Sequence, residues 1–185
     1  MDIIASRAVS VALFGGLAAF LAFGPAAAHV QILALLLGWV SYRHFNGGFD
    51  GLKKAIAHNL AGAALGAAAA VLVFSRHALH GAAIDFPAWA ALGVAVTLAL
   101  LVLTTKISLF GDIVGLLLGY AAIAAEAAQS ANLEALLALS PENPAISVVI
   151  SLLVGVLFGF GADSLADALG KLLPKSGRAS TGAQA

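Results

Sequence analysis

The sequence predicts an all-α membrane protein with six transmembrane helices, and three observations support this fold class. The chain of 185 residues is 62% hydrophobic and only 10% charged, whereas a soluble domain is about half apolar and about a quarter charged. Six apolar runs are each close to the ~20 residues that a helix needs to cross a bilayer. Leu, Ala, Val and Gly fill these runs without the alternating pattern of a membrane β-barrel.

We predict a single six-span domain over residues 1–175, with spans at about 8–24, 28–43, 54–74, 87–104, 108–127 and 145–168. Residues 129–143 are acidic and amphipathic, which indicates a segment lying in the outer interface. Residues 176–185 are small and polar, so we expect a disordered cytoplasmic tail there. The first span also resembles a cleavable signal peptide, and cleavage would leave five spans.

The basic residues fall on one side of the predicted bilayer. With six spans, that side receives eight of the nine Lys and Arg residues, and the other side receives only Arg76. Because basic loops are retained in the cytoplasm, this distribution predicts a multi-pass protein with both termini cytoplasmic. The eight are Arg7, Arg43, Lys53, Lys54, Lys106, Lys171, Lys175 and Arg178.

Two motifs recur at fixed offsets along the chain. The second span contains LLLGW (35–39) and the fifth contains LLLGY (116–120), at an offset of 81. A pair of glycines on the third span recurs on the sixth at an offset of 93. Units of three spans enter the membrane from opposite sides, so the recurrence predicts a 3+3 inverted repeat, as in many transporters; chance recurrence is the alternative. The glycines are Gly62, Gly66, Gly155 and Gly159.

Glycines are spaced for close contact between helices. Gly111, Gly115 and Gly119 recur every four residues on the fifth span, and the two glycine pairs above have the same spacing. Small residues let helix backbones approach each other in lipid. We therefore expect these glycines to pack helices together, within one protomer or between protomers of a homo-oligomer. The alternative is that they leave room for a narrow conduit.

Polar side chains collect near the predicted cytoplasmic ends of the spans. His58 and Asn59 lie one to two turns inside the third span, Asp112 has a similar depth on the fifth, and Asp163 lies near the end of the sixth. One hypothesis is that the acids pair with nearby lysines at the membrane surface. The other is a polar vestibule that forms a solute path, with His58 as its titrating group.

The remaining sequence favours transport over catalysis. The predicted membrane centre has almost no ionisable side chain, and we find no catalytic constellation, no cofactor motif and no metal site, so we do not expect an enzyme. The zero net charge gives no reason to expect a nucleic-acid partner. We predict a channel or passive transporter for a small solute or ion, surrounded by membrane lipid. The alternative is a non-transporting structural or accessory subunit of a membrane protein complex.

The stretch LLLGWVSYRHFNGGFDGLKKAIAHNLAGAALG (35–66) combines a Gly-Trp span end, a Gly-Gly turn, Gly-Leu-Lys-Lys, an Asn and Gly-x-x-x-Gly. It resembles the signature segment of a bacterial inner-membrane family catalogued as domain of unknown function 1097. The resemblance implies a small multi-span protein of the bacterial inner membrane and implies no established activity. The matching residues are Gly38, Trp39, Gly47, Gly48, Gly51, Leu52, Lys53, Lys54, Asn59, Gly62 and Gly66.

Overall fold

The computed structural model describes residues 3–27, 29–78, 85–129 and 143–172, and within these ranges the chain has six α-helices and no strand. Each helix overlaps one of the six predicted apolar runs. The predicted interfacial segment 129–143, apart from its end residues, and the predicted tail 176–185 lie outside the described residues. The helices are α1 (Ile3–Phe23), α2 (Ile32–His44), α3 (Gly48–Phe74), α4 (Phe86–Thr104), α5 (Ile113–Gln129) and α6 (Pro144–Leu172).

The helices differ in whether they are long enough to cross a bilayer. Four of them, α1, α3, α4 and α6, are long and apolar enough to do so. Helix α5 is a shorter apolar helix of 17 residues, and α2 has 13 residues. At 1.5 Å per residue α2 is about 20 Å long, less than the ~30 Å thickness of the hydrocarbon core. The apolar composition and the long helices are those of a membrane protein.

Capping side chains fix where two of the long helices begin. At the start of α4, Asp85 Oδ1 accepts a hydrogen bond from the Ala88 N–H at 3.1 Å. At the start of α6, Asn143 Oδ1 accepts one from the Ala145 N–H at 2.8 Å. These bonds satisfy N–H groups that have no partner within the first turn of a helix.

The centre of the bundle consists of two closely packed helix pairs. Helix α2 packs along α6, and α3 packs along α5. The two pairs meet through contacts of α3 with α6 and of α2 with α5. Helix α1 lies against α6 and α4 lies against α3, and both peripheral helices expose large apolar side chains along their outer faces.

Two glycines bring α2 and α6 into backbone contact. A Cβ atom at Gly38 of α2 would collide with the carbonyl oxygen of Leu152, and a Cβ atom at Gly155 of α6 would collide with the carbonyl oxygen of Leu35. Each helix therefore supplies a glycine against which the backbone of the other helix rests. Such contacts gain dispersion energy that a larger side chain would prevent.

The α3/α5 pair is built in the same way. A Cβ atom at Gly62 of α3 would collide with the carbonyl oxygen of Leu116, and one at Gly119 of α5 would collide with that of Asn59. The glycines predicted for helix packing on α3, α5 and α6 thus make their contacts within the protomer.

Gly111 is an exception to the predicted glycine spacing on the fifth span. It lies in the connection before α5, directly after the 3₁₀ turn Ser108–Phe110, because α5 begins only at Ile113. It is exposed, and a Cβ atom there would meet only the Ser108 carbonyl oxygen at 3.8 Å. Gly111 therefore lies outside the predicted helical stripe and makes no close helix contact within the protomer; packing between protomers stays a prediction.

The crossing of α2 and α6 is testable with a pair of glycine substitutions. Gly155→Ala places a methyl group against the Leu35 carbonyl, so we expect the free energy of unfolding to fall by about 1–3 kcal/mol, the usual cost of overpacking. Gly170→Ala on the same helix meets no atom within 4 Å and is the matched control. Unfolding by SDS titration in mixed micelles measures both. Equal stabilities of the two variants would contradict the packing described here.

Candidate functional site

The connection between α2 and α3 is a tight turn that presses against polar side chains. Asn46, Gly47 and Gly48 have φ values of 63°, 69° and 68°, the left-handed region that glycine adopts without steric cost and asparagine tolerates. A Cβ atom at Gly47 would lie 2.9 Å from Asp163 Oδ2 and 3.1 Å from the Tyr42 hydroxyl oxygen. The turn therefore needs glycine at this position both for its backbone angle and for space.

We use the name turn cluster for the side chains that gather at this end of the bundle. They come from the end of α2, the first part of α3, the connection before α5 and the last part of α6. The cluster consists of Tyr42, Arg43, His44, Phe45, His58, Phe110, Asp112 and Asp163.

Tyr42 joins the turn to α6. Its side chain is fully buried, its hydroxyl oxygen accepts a hydrogen bond from the Gly48 N–H at 2.8 Å, and the hydroxyl donates to Asp163 Oδ2 at 3.2 Å. Arg43 Nη1 donates to both oxygens of Asp163, at 2.8 and 2.7 Å. Because the Arg43 and Asp163 side chains are 48% and 31% exposed, the ion pair itself contributes only about 0.2–1 kcal/mol. The buried tyrosine is the stronger structural link.

Asp112 is held at the start of α5. Its Oδ1 accepts a hydrogen bond from the Gly115 N–H at 2.8 Å, and His44 Nε2 lies 2.9 and 3.0 Å from its two oxygens. Partial burial raises the pKa of this carboxyl group, but the Gly115 N–H and the His44 ring favour the carboxylate more strongly, so its pKa is lowered overall. Asp112 therefore carries its negative charge at neutral pH.

His58 and Asn59 are the buried members of the predicted solute path. The His58 ring lies between Phe45 and Phe110, with centroid distances of 4.6 and 5.8 Å. Its Nδ1 is 2.8 Å from the Lys54 carbonyl oxygen, and since a carbonyl only accepts, Nδ1 carries the hydrogen. The other ring nitrogen, Nε2, is buried and has no hydrogen-bond partner within the described ranges.

Two further buried side chains share this lack of partners among the described residues. Asn59 is fully buried, and neither its Oδ1 nor its Nδ2 has a hydrogen-bond partner. Ser41, near the end of α2, is also fully buried, and its Oγ has none. An unsatisfied buried polar group costs about 1–3 kcal/mol. One turn of α2 and one turn of α3 thus carry four buried polar atoms without a hydrogen-bond partner among the described residues.

The predicted path residues therefore divide into two kinds. Asp112 and Asp163 are paired, as the charge-pairing hypothesis expects, but their partners are His44 and Arg43 and not the lysines that we expected. His58 and Asn59 are buried with open hydrogen-bonding atoms. Within the described ranges no group of three or more His, Asp or Glu side chains is placed to hold a metal ion.

Sequence reasoning missed the residues that partner the acids. Ser41, Tyr42, Arg43 and His44 form a polar run at the end of α2. A single interfacial anchor at the end of a span needs only about one or two polar or aromatic residues. Four consecutive polar residues are more than that, and this excess is the signal that could have identified them.

The role of Tyr42 can be tested against the other tyrosine of the chain. Tyr42→Phe leaves the Gly48 N–H and Asp163 each without one partner, so we expect the free energy of unfolding to fall by about 1–3 kcal/mol. Tyr120→Phe is the matched control, because Thr97, which lies 3.0 Å from the Tyr120 hydroxyl, keeps its bond to the Gly93 carbonyl. SDS titration of both variants gives the comparison. A loss in Tyr42→Phe that does not exceed the loss in Tyr120→Phe would contradict the role given to Tyr42.

Comparison with known proteins identifies a family and no function. No curated protein and no solved structure matches the chain. A family model described as "Protein of unknown function (DUF1097)" matches residues 8–167. The match includes the whole turn cluster and all six helices apart from their outermost ends, and it confirms the resemblance noted for residues 35–66. The chain belongs to this family, the proteins of unknown function DUF1097.

Proposed function

We propose that the chain crosses the bacterial inner membrane six times, with both termini in the cytoplasm, as two inverted units of three helices. In this proposal α2 corresponds to α5 at an offset of 81, and α3 corresponds to α6 at an offset of 93. The recurring motifs suggested these offsets, but they say nothing about which residues touch. The contacts between helices therefore provide independent support.

The glycine contacts of one unit are related to those of the other unit by the same two offsets, 81 and 93. The contact of Gly38 with the Leu152 backbone corresponds to the contact of Gly119 with the Asn59 backbone. Both contacts join the same two elements of the proposed units, the second helix of one unit and the third helix of the other.

The reciprocal contacts correspond as well. The contact of Gly155 with the Leu35 backbone maps onto that of Gly62 with the Leu116 backbone. The peripheral helices follow the same rule, since α1 lies on α6 as α4 lies on α3. This agreement supports a repeat more strongly than the motifs alone, because chance recurrence of Leu and Gly would not reproduce the pairing.

A third pair of contacts completes the correspondence. A Cβ atom at Gly159 would lie 2.9 Å from Cδ1 of Trp39, and a Cβ atom at Gly66 would lie 2.8 Å from the carbonyl oxygen of Tyr120. Gly66 and Gly159 are again related by the offset of 93, and Trp39 and Tyr120 by the offset of 81.

The topology is testable because the chain contains no cysteine, so single-cysteine variants have no background. His29→Cys and Phe49→Cys flank α2, and Ser108→Cys and Gln129→Cys flank α5; all four positions are exposed. We expect a membrane-impermeant maleimide to label positions 29 and 129 in spheroplasts, and positions 49 and 108 only in inside-out vesicles. Labelling of both members of a pair from the same side would show that the helix between them does not cross.

We further propose that the protein is a channel or passive transporter for a small solute or ion. The observation that supports this proposal is the set of four buried polar atoms on Ser41, His58 and Asn59 that lack protein partners. A bundle that only had to pack in lipid would place alkyl side chains there, because unsatisfied polar groups are costly away from water. Between them an imidazole Nε2, a hydroxyl and an amide offer both donors and acceptors, so each could bind a small polar molecule that passes it.

We also propose that a homo-oligomer, or contact with a partner in a membrane complex, would use the outer faces of α1 and α4. The glycine faces of α3, α5 and α6 are occupied within the protomer. The peripheral helices instead expose large apolar side chains, among them Leu13 at 58% and Leu92 at 52%. An accessory subunit without transport activity is the second candidate function, and these faces are where it would contact its complex.

Flux through purified protein in liposomes tests the transport proposal. We choose Asn59→Leu because the corresponding position of the other unit is Leu152, so the scaffold accepts leucine there. We expect it to lower the flux of small neutral solutes or monovalent cations at least about tenfold, which corresponds to ~1.4 kcal/mol of barrier, while thermal stability is kept or raised. Stopped-flow light scattering and an ion-sensitive dye measure the flux.

Two serine substitutions complete the experiment: the first is a second test of the path and the second is its matched control. Ser41→Ala removes a buried hydroxyl without a hydrogen-bond partner among the described residues, whereas Ser164→Ala removes an exposed hydroxyl bonded to the Phe160 carbonyl. Flux should fall in the first and remain at the wild-type value in the second. Unchanged flux in Asn59→Leu would place the path elsewhere. Absence of any flux in the wild-type protein would favour the accessory-subunit function.

A further inference from the structure

A cleft opens at the end of the bundle opposite the turn cluster. It has a volume of about 320 Å³ and lies between the α1–α2 connection and the last turns of α5. Eight of its eleven lining residues are apolar, and the other three are Gln31, Glu126 and Gln129, so polar and apolar surface both line it. The volume exceeds the ~150 Å³ of a cavity that holds benzene, so the cleft has room for a small organic molecule.

Glu126 gives this cleft an unbalanced negative charge. Among the described residues, its carboxylate makes no hydrogen bond or ion pair, and none of the described residues that line the cleft is basic. It differs in this respect from Asp112 and Asp163, which are both paired. A nearby positive charge stabilises a carboxylate that is partly removed from water. An organic cation would also place its apolar groups against the apolar residues of the cleft.

The corresponding space at the turn-cluster end is filled. The Phe45 ring occupies it, so a Cβ atom at Gly115 would lie 2.6 Å from Phe45 Cζ. His44 reaches across to Asp112 with its Nε2 at 2.9 Å from Oδ1. The side chains of His44 and Phe45 thus close the gap between the end of α2 and the start of α5.

Under the proposed repeat, adding or subtracting the offset of 81 relates the residues of these contacts to residues that line the cleft. Phe45 and Gly115 correspond to Glu126 and Ala34, and both of the latter line the cleft. His44 and Asp112 likewise correspond to Ala125 and Gln31, which also line it. The two corresponding ends of the bundle are therefore unequal in this structure. The described residues leave the cleft end open and close the turn-cluster end, an asymmetry of the kind that one state of an alternating-access carrier has.

We propose that this cleft is a binding site for a small organic cation, an amine with an apolar body, and that Glu126 is its counter-ion. The site deepens the proposed function by naming the class of solute, and it rests on that function for its role in transport. A metal cation fits less well, because hard cations take six or more oxygen ligands and the cleft offers one carboxylate and two amides. The apolar walls provide contact area for the body of the amine.

Binding to the purified protein in nanodiscs tests the site without requiring transport. We choose benzylamine and benzyl alcohol as probes, since the two have the same size and differ in charge at neutral pH. Isothermal titration calorimetry should show that benzylamine binds at least about tenfold more tightly than benzyl alcohol to the wild-type protein. In Glu126→Gln this preference should disappear, because the substitution removes the charge and keeps the shape. Equal binding of the two probes to the wild-type protein, or an unchanged preference in Glu126→Gln, would overturn the proposal.

Two control variants separate binding from folding and from general charge effects. Glu126→Asp keeps the carboxylate and should retain the preference. Asp167→Asn removes one negative charge from an exposed carboxylate near the end of α6, far from the cleft. This variant should also retain the preference for benzylamine. A preference lost equally in Asp167→Asn would show that net charge, and not this cleft, attracts the amine.

The outcome also distinguishes this inference from the proposed function. Benzylamine binding that depends on Glu126, without flux of any solute in liposomes, would support the site and refute the transport function. Flux of small solutes without any preference for the amine would support the transport function and refute this site.

Discussion

The close approach of helix backbones at glycine is the constraint on which the rest of the structure depends. In lipid, two apolar helices gain little by leaving the solvent, so dispersion contacts must hold them together. Gly38 with Gly155, and Gly62 with Gly119, let each helix rest on the carbonyl groups of its partner. These two crossings set the positions of α2, α3, α5 and α6, and they thereby determine which polar side chains can meet at each end of the bundle.

The same scaffold carries different side chains at its two ends. Under the proposed repeat, Arg43 and Asp163 correspond to Ala124 and Ala70. The ion pair ties α2 to α6 beside the turn, whereas the two alanines line a second cavity of about 550 Å³ between α3, α4 and α5. Replacing a pair of long charged side chains by alanines removes volume and leaves space. The turn end is therefore closed by side chains, whereas the described residues at the opposite end leave a cavity between them.

The sequence predicted the helices well, because a helix in lipid needs a long apolar run and the turn residues mark its ends. Six of the seven glycines singled out by their spacing lie against another helix or the residues that adjoin it, since spacing by four places residues on one helix face. Gly38 is not among them, because no glycine lies four residues from it, although it makes one of the four backbone contacts. The prediction failed at Gly111, where the helix begins later than the apolar run. It also failed to pair the acids with Arg43 and His44. Spacing along one helix gives no information on which end of another helix lies beside it, and this is determined only by the three-dimensional packing.

Asn59 and Leu152 provide the strongest argument that the polar interior serves a function. Both residues present their backbone to a glycine of the partner helix, and both are buried. One position holds an apolar side chain and the other holds an amide without hydrogen-bond partners within the described ranges. The glycine contact needs neither side chain, because it uses only backbone atoms. The amide thus lowers stability without contributing to that contact, and a bound polar solute would satisfy the hydrogen bonds that the protein does not.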